Sequence, residues 1–250
     1  MRVVLVLLTL LLGPLGQADE QPLKVLFGQS RPPFVMVEEQ RGISLDLMRE
    51  AFARLGLSWV PGFVSNQRMA VELRQGRADV AVEVLPDDPG LFYSQPFMVY
   101  HNYLVSRRAD AIAFTGDWAE LAGLRVCAWQ DAEQGLGPLF VAARQGFAGY
   151  REYASQRQQV EHWLQGQCQV ILIDLLVLQY HWRSLHEQNP QRFGGSLRDA
   201  QYQPLPQGRE LWWHVGFRSQ ALRDRFDKEL TRMRLDGSYE RALRAYGIAE

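Results

Sequence analysis

The chain has 250 residues, of which 47% are hydrophobic and 22% are charged. This is the composition of an ordinary globular protein, and the length allows one large domain or two lobes of about 100 residues each. The formal net charge is −1 and the sequence has no basic run, so neither nucleic acid nor an anionic membrane surface is predicted as a partner.

The N-terminus has the layout of a cleavable signal peptide. Arg2 supplies a positive charge, residues 3–12 are almost entirely Leu and Val, and Gly16 and Ala18 place small residues before a possible cleavage point. A transmembrane anchor is the alternative, but a bilayer span needs about 20 apolar residues and this run is shorter. No Cys follows the run, so a lipoprotein anchor is not expected. We predict a signal peptide at 1–18 and an exported mature chain that starts near Asp19.

The first half of the mature chain alternates predicted strands with predicted helices. Short apolar runs indicate strands, and apolar residues spaced close to 3.6 residues apart indicate helices that stop at Gly. The predicted elements are strands at 23–28, 57–63 and 78–84 and helices at 43–55 and 69–76. Such alternation is typical of parallel α/β architecture.

The second half repeats this plan. The predicted elements are helices at 117–121, 131–143, 158–164, 175–186, 221–235 and 238–246, strands at 124–129, 150–154, 168–173 and 211–217, and a loop at 194–208. Asp131 is predicted to cap the second of these helices. The segments LRQGRADVAV (73–82) and WLQGQCQVILID (163–174) both read as a helix, a Gly stop and a strand. This echo predicts two lobes of like topology, with a ligand beyond the carboxyl ends of their strands and closure by a hinge.

The chain has two cysteines, Cys127 and Cys168, both predicted at the starts of strands. An even count in an oxidising compartment allows a disulfide. Two buried thiols are an equal alternative, because the sequence does not reveal whether the Cα atoms come within bridging distance. The five histidines show no spacing typical of metal ligands, so neither a metal nor a cofactor is predicted.

Several individually weak motifs follow one another in a fixed order along nearly the whole mature chain. They are PPF (32–34), GISLDL (42–47), RLG (54–56), LRQGRADV (73–80), YSQPF (93–97), LAGLRV (121–126), the segment 165–174, and MRLDGSY (233–239). In this order and spacing they resemble the periplasmic solute-binding proteins of the polar-amino-acid type, bacterial extracellular solute-binding protein family 3.

The resemblance implies an α/β, two-lobed periplasmic-binding-protein fold (type II, or Venus flytrap). Each lobe would be a mostly parallel sheet flanked by helices, with the ligand cleft between the lobes. The implied boundaries are lobe 1 at 19–99, lobe 2 at 100–206 and a return to lobe 1 with C-terminal helices at 207–250. The family also implies a periplasmic location for the exported chain.

The predicted site departs from the family pattern at the carboxylate clamp. Family members that bind amino acids carry an Arg shortly after the third strand, whose guanidinium grips the ligand's α-carboxylate in a bidentate pair. Here the segment 84–91 reads VLPDDPGL and contains no Arg. The ordinary way of holding an α-amino acid is therefore not predicted for this chain.

Four residues of the first lobe are candidates for the cleft. Phe34 belongs to the Pro-Pro-Phe turn, which lines the cleft in the family. Glu83 stands where the family often has a small hydroxyl residue, and Arg31 where it often has a stacking aromatic. Asn66 follows the second strand. The alternative for Glu83 is an outward-facing salt bridge at the rim, with Arg31 as a possible partner.

Three further candidates come from the second lobe. Trp129 precedes the segment 131–133, where Asp-Ala-Glu replaces the family's usual Gly-Thr-Thr, and Asp174 is retained where the family carboxylate receives the ligand's amino group. The alternative for Glu133 is a first-turn helix charge favoured by the macrodipole. The predicted ligand-binding set is Arg31, Phe34, Asn66, Glu83, Trp129, Glu133 and Asp174. Trp212 and Trp213, on a strand near the second crossover, are instead expected to pack in the core or hinge.

Carboxylates beside an aromatic face suit a ligand that carries ammonium or guanidinium groups. We therefore predict a monomeric binding protein, not an enzyme, which captures an amino acid, polyamine or similar amine for the permease of an ABC importer or for a sensor protein. Arg31 could replace the missing clamp from another direction, which keeps a zwitterionic ligand possible. One alternative is an enzyme resembling the periplasmic cyclohexadienyl dehydratases, with Glu133 or Asp174 as the acid. The other is a degenerate member that binds a protein.

Overall fold

A computed structural model describes residues 21–194, 196–206 and 210–246, without the side chain of Gln67. The predicted signal peptide at 1–18 lies outside this part of the chain. Within the described residues, no helix has both the length and the apolar character needed to cross a bilayer.

The first part of the chain builds a parallel sheet with helices between its strands. Strand β1 pairs in parallel with β2 on one side and with β3 on the other. The elements are β1 (Leu23–Phe27), α1 (Ile43–Arg54), β2 (Trp59–Phe63), α2 (Asn66–Arg74), β3 (Val80–Val84) and the short β4 (Phe92–Tyr93). Each lies within two or three residues of its predicted position, apart from β4, which was not predicted.

The long strand β5 (Met98–Arg107) leads into the second group of strands. Strand β6 pairs in parallel with β7 and with β8, and β8 pairs antiparallel with β5. The remaining elements are β6 (Arg125–Trp129), α3 (Ala132–Leu136), α4 (Pro138–Ala143), β7 (Gly149–Tyr153), α5 (Gln156–Leu164), β8 (Val170–Asp174), α6 (Leu175–Gln188) and β9 (Ala200–Pro204). Short 3₁₀ turns at Arg108–Asp110, Trp118–Leu121, Arg144–Gly146 and Leu197–Asp199 connect them.

The chain then returns to the first group through β10 (Glu210–Phe217), which is followed by α7 (Gln220–Leu235) and α8 (Ser238–Arg244). Strand β10 pairs antiparallel with β3 and with β5, so the strand order is β2-β1-β3-β10-β5-β8-β6-β7, with β4 beside β10 and β9 beside β5. This is the predicted fold: two mostly parallel α/β groups, joined where β5 and β10 cross between them. The residue boundaries of the two lobes stay a prediction.

Four local predictions differ from the structure. The single helix predicted at 131–143 is two helices, because Gly137 adopts φ +81° and Pro138 starts a new helix rather than continuing the first. Asp131 adopts left-handed φ +62° and its side chain makes no capping hydrogen bond. The loop predicted at 194–208 contains β9, and the helix predicted at 117–121 is a 3₁₀ turn.

Cys127 and Cys168 form a disulfide, with Cα atoms 5.9 Å apart, which lies within the range typical of such bonds. Cys127 is the middle residue of β6, and Cys168 lies two residues before β8. The bond therefore ties together two neighbouring strands and answers the question that the sequence left open.

Strands β3 and β8 are buried along nearly their whole length. Their sequences, VAVEV and VILID, are apolar except for one carboxylate each, as expected for parallel strands covered on both faces. The carboxylates are Glu83, 4% exposed, and Asp174, 3% exposed. Two acidic side chains are thus held in the interior at the carboxyl ends of central strands, where a charge needs compensation.

Candidate functional site

Most predicted site residues follow the carboxyl ends of parallel strands. Arg31 follows β1, Asn66 follows β2, and Glu83 lies at the end of β3; in the second group Trp129 ends β6 and Asp174 ends β8. Ligands of open α/β sheets bind at this edge of the sheet. The topology therefore places these candidates at the edge where a ligand is expected.

Glu83 is set in place by an irregularity in the pairing of β3 with β10. Val82 opposes Val215 and Val84 opposes His214, so Glu83 is the extra residue of a bulge. Its φ of +60° lies in the left-handed region, which is rare for a residue other than Gly and is found at sites where the surroundings hold it. In a regular strand, successive side chains point to opposite faces of the sheet. The bulge interrupts this alternation and changes the direction of the Glu83 side chain.

The Glu83 carboxylate accepts hydrogen bonds from three side chains. The guanidinium of Arg31 donates to one oxygen and forms an ion pair with it, and the Ser44 hydroxyl donates to the other. The Tyr100 hydroxyl donates to the first oxygen at 2.7 Å. Burial raises the pKa of Tyr100 well above its ordinary value, so this hydroxyl stays protonated as a donor. The pair with Arg31 that the sequence left possible is therefore present, but it is buried rather than at an exposed rim.

Aromatic rings enclose the Arg31 guanidinium. Its carbon lies 4.7 Å from the ring centre of Tyr100 and 5.8 Å from that of Trp213, both within cation–π range. The Phe34 ring lies 4.2 Å from the Tyr100 ring. Burial acts against the charge of Arg31, but Tyr100, Glu83 and Asp174 outweigh it, and the pKa of Arg31 is raised. We call Arg31, Ser44, Glu83, Tyr100 and Trp213 the Arg31 cluster.

The Pro-Pro-Phe turn is held against the N-terminus of α1. The amide of Ile43 donates to the Pro33 carbonyl and the amide of Ser44 to the Phe34 carbonyl, both at 3.0 Å. Gly42, at φ +130°, lies so close that an added Cβ would be 2.4 Å from the Phe34 oxygen. The turn thus satisfies helix amides that lack partners within the helix and brings Arg31 and Ser44 to the same carboxylate.

Asp174 links the end of β8 to α6 and to β5. One carboxylate oxygen accepts from the amides of Leu176 and Val177, at 2.9 and 3.1 Å, and so caps α6; the other accepts from the amide of His101 at 2.8 Å. Burial raises the pKa of Asp174 to about 6, although these three amides and Arg31 act in the opposite direction. Asp174 is therefore a desolvated carboxylate within electrostatic range of the Arg31 cluster.

The remaining predicted residues are not joined to that cluster by any hydrogen bond or ion pair among the described residues. Glu133 lies in the first turn of α3 and pairs with Arg144 at 2.9 Å. Trp129 is half-buried and packs against the core of the second strand group. Asn66, the first residue of α2, is exposed. The structure thus brings together Arg31, Phe34 and Glu83 with Asp174 nearby, while the part played by the other three stays a prediction.

Three members of the cluster were not among the predicted site residues: Ser44, Tyr100 and Trp213. Ser44 is the only polar residue among the first three of α1, which is a weak signal. Tyr100 lies on β5, which was not predicted, although its burial alternates as expected for a strand. Trp213 was assigned to packing at the hinge; it does lie where β10 pairs with β5, and it also faces Arg31.

In sum, the carboxylate of Glu83 is satisfied within the protein, whereas that of Asp174 has backbone donors but no ion pair among the described residues. With both carboxylates ionised, Arg31, Glu83 and Asp174 together carry one net negative charge. An arrangement of this kind can accept a cationic group at Asp174.

Comparisons with known proteins agree with this architecture. The family described as bacterial extracellular solute-binding proteins, family 3, matches residues 23–249. No protein of curated function matches the chain in sequence.

Solved structures show the same fold at low sequence identity. The GluR0 ligand-binding core in complex with L-glutamate superposes with a TM-score of 0.68 at 17% identity, covering 91% of this chain and 99% of that one. A histidine kinase sensor domain with similarity to periplasmic binding proteins gives 0.66 at 17%, covering 92% and 98%. A substrate-binding protein of an ABC uptake transporter from Streptococcus pneumoniae, with bound histidine, gives 0.66 at 14%, covering 90% and 92%. At these identities the likeness shows the fold alone, which is the predicted type II periplasmic-binding-protein fold. Because this family matches residues 23–249, the chain belongs to the bacterial extracellular solute-binding proteins, family 3.

Proposed function

We propose that this protein captures a small polar solute that carries an ammonium group, such as an amino acid or a polyamine, in the cleft between its two strand groups. The observation that carries the proposal is the buried Asp174 carboxylate, whose pKa is raised to about 6 by its desolvation. A ligand ammonium would compensate this charge without a protein cation.

The electrostatics favour a cation at Asp174 rather than at Glu83. Glu83 already accepts from Arg31, Ser44 and Tyr100, so a ligand would have to displace an internal partner to reach it. Among the described residues, the donors to Asp174 are backbone amides, which stabilise its charge without cancelling it. This modifies the sequence-based hypothesis, in which Glu83, Glu133 and Asp174 would converge on one cationic ligand.

An α-amino acid would also need a partner for its carboxylate. Arg31 is the candidate, since its guanidinium has five donors and Glu83 engages one of its terminal nitrogens. Its Nε, which is buried, has no hydrogen-bond partner among the described residues. A zwitterion held between Arg31 and Asp174 would therefore satisfy both of its charged ends.

The proposal also includes the location of the protein, its mode of closure and its partners. The chain would be exported to the periplasm by its N-terminal signal peptide, bind the solute by hinge closure about β5 and β10, act as a monomer without enzymatic activity, and deliver the solute to an ABC permease or report it to a sensor. The family supports an extracellular or periplasmic location. Solved proteins of the same fold include both an ABC substrate-binding protein and a sensor domain.

The direct test is a thermal-shift screen of the mature chain from Asp19 onward against amino acids, polyamines, quaternary amines and small carboxylic acids. A ligand that binds only the folded state raises its stability by about 2.7 kcal/mol at a hundredfold excess over Kd. We expect a rise with primary-ammonium solutes and none with carboxylic acids that lack both an ammonium group and an aromatic or branched apolar body. A rise confined to carboxylic acids would contradict the proposal.

Asp174→Asn is the matched control, because the amide oxygen can still cap α6 while the charge is removed. The variant should fold and lose the shift. Should it keep the shift, the ammonium group does not bind at Asp174. No shift with any compound in the wild type would favour a protein partner.

A further inference from the structure

A second concave site lies in the second strand group, far from the cleft. It is a cavity of about 500 Å³ between the end of β5, the end of α5, the middle of α6 and the residues 192–193 and 196–200. Asn102, opposite Asp174, marks the cleft end of β5, and Arg107 is five residues further along the strand. At about 3.4 Å per residue, the cavity is roughly 17 Å from Asp174.

The walls of the cavity are aromatic and aliphatic. Trp163, Leu164, Trp182 and Phe193 line it, and Trp163 and Phe193 are themselves buried in the core. Trp182 stacks on His186 with ring centres 5.1 Å apart, which holds its ring in place. A cavity of this size with such walls falls within the range of small-molecule sites.

The polar groups around the cavity are mainly cationic. Two of its three arginines have carboxylate partners: Arg107 pairs with Asp110 at 3.3 Å and Arg192 with Glu161 at 3.2 Å. Arg108, which is exposed, donates to a backbone carbonyl at 3.2 Å and forms no ion pair with any described residue. Asp199 also lines the cavity, and Arg108 is the lining arginine that has no carboxylate partner among the described residues.

We infer that this cavity is a second binding site, for a small carboxylate with an aromatic or branched apolar body. The apolar body would fill the space between Trp163, Trp182 and Phe193, and the carboxylate would bind the free donors of Arg108. The ligand of this cavity would bind through a carboxylate, whereas the one proposed for the cleft would bind through an ammonium group. The two sites can therefore be distinguished by experiment. This inference does not depend on the proposed function.

The test is isothermal titration calorimetry of the full mature chain with indole-3-acetate and with its neutral counterpart, indole-3-acetamide. We expect the carboxylate to bind at least tenfold more tightly than the amide. Arg108→Gln should remove that difference while leaving the fold intact, because the residue is exposed. Leu164→Trp, which fills the cavity, should abolish binding of both probes.

Asp174→Asn separates the two sites. It should leave the affinity for indole-3-acetate unchanged, since Asp174 belongs to the cleft. Three results would overturn the inference: no binding of either probe at millimolar concentration, equal affinities in wild type and Arg108→Gln, or loss of binding in Asp174→Asn. The Arg108→Gln comparison decides the matter even when Leu164→Trp does not fold.

Discussion

Replacing Arg31 with Met should destabilise the protein far more than removal of an ordinary ion pair. Within the part of the chain that the structure describes, the change leaves the Glu83 carboxylate, which is 4% exposed, with only the hydroxyls of Ser44 and Tyr100 as donors. Loss of one partner from a buried pair costs about 3–5 kcal/mol, because the other charge stays desolvated. The Arg31 side chain is itself only 22% exposed, so water has little access to the ion pair and weakens it little.

The cost should be recovered when both charges are removed together. In the double variant Arg31→Met, Glu83→Leu, no buried charge is left unpaired, and its unfolding free energy should lie closer to wild type than that of Arg31→Met alone. Arg49→Met is the matched control, since Arg49 is 55% exposed and its pair with Asp46 should contribute at most about 1 kcal/mol.

Equilibrium unfolding in urea, followed by far-ultraviolet circular dichroism at pH 7, measures these four proteins and the single variant Glu83→Leu. A loss of unfolding free energy in Arg31→Met no larger than that in Arg49→Met would contradict the predicted buried pair. So would simple addition of the effects of the Arg31 and Glu83 changes, because additive effects would mean that the two side chains do not act as a pair.

Three further predictions concern other parts of the molecule. Replacing Cys127 and Cys168 with Ala should lower the unfolding free energy by about 4 kcal/mol in guanidinium chloride, since the bond closes a loop of 41 residues; a loss below about 1 kcal/mol would contradict this. The pKa of Asp174 is raised from 3.8 to about 6, so the folded state holds this proton more tightly, and the stability of wild type relative to Asp174→Asn should fall by about 2 kcal/mol as pH rises from 4 to 6. A flat difference across that window would refute it. Gly42→Ala should cost more than Gly56→Ala in thermal unfolding, because both need positive φ but only at Gly42 would the Cβ meet a carbonyl oxygen, 2.4 Å away; equal costs would argue against the packed turn.

Much of the fold was predictable because its strands and helices are locally encoded. The apolar period of 43–55 and the Gly that follows predicted α1 almost to the residue. The strands that were missed depend on partners distant in sequence. β9 reads AQYQP, which is only five residues long, contains no Val, Ile or Leu and ends in Pro, and it pairs along β5, about 100 residues earlier.

The candidate site was predictable in its positions but not in its partners. Arg31, Glu83 and Asp174 were predicted as site residues from their positions at or after strand ends, because parallel strands bring their carboxyl ends to one edge of the sheet. The Arg31–Glu83 pair spans 52 residues of sequence, and the bulge that turns Glu83 inward needs β10, more than 130 residues later. The left-handed backbone conformation of Glu83 cannot be predicted from the amino-acid composition. The sequence therefore suggested Glu83 as a ligand contact, whereas the structure engages it internally.

We propose that Asp174 receives the ammonium group of a small solute. Calorimetric titration of the solute with the largest thermal shift into wild type and Asp174→Asn, from pH 5 to pH 8, tests this contact. Wild-type affinity should rise as Asp174 ionises near pH 6, and the variant should bind at least tenfold more weakly with no such rise. Equal affinities and equal pH profiles in the two proteins would contradict it.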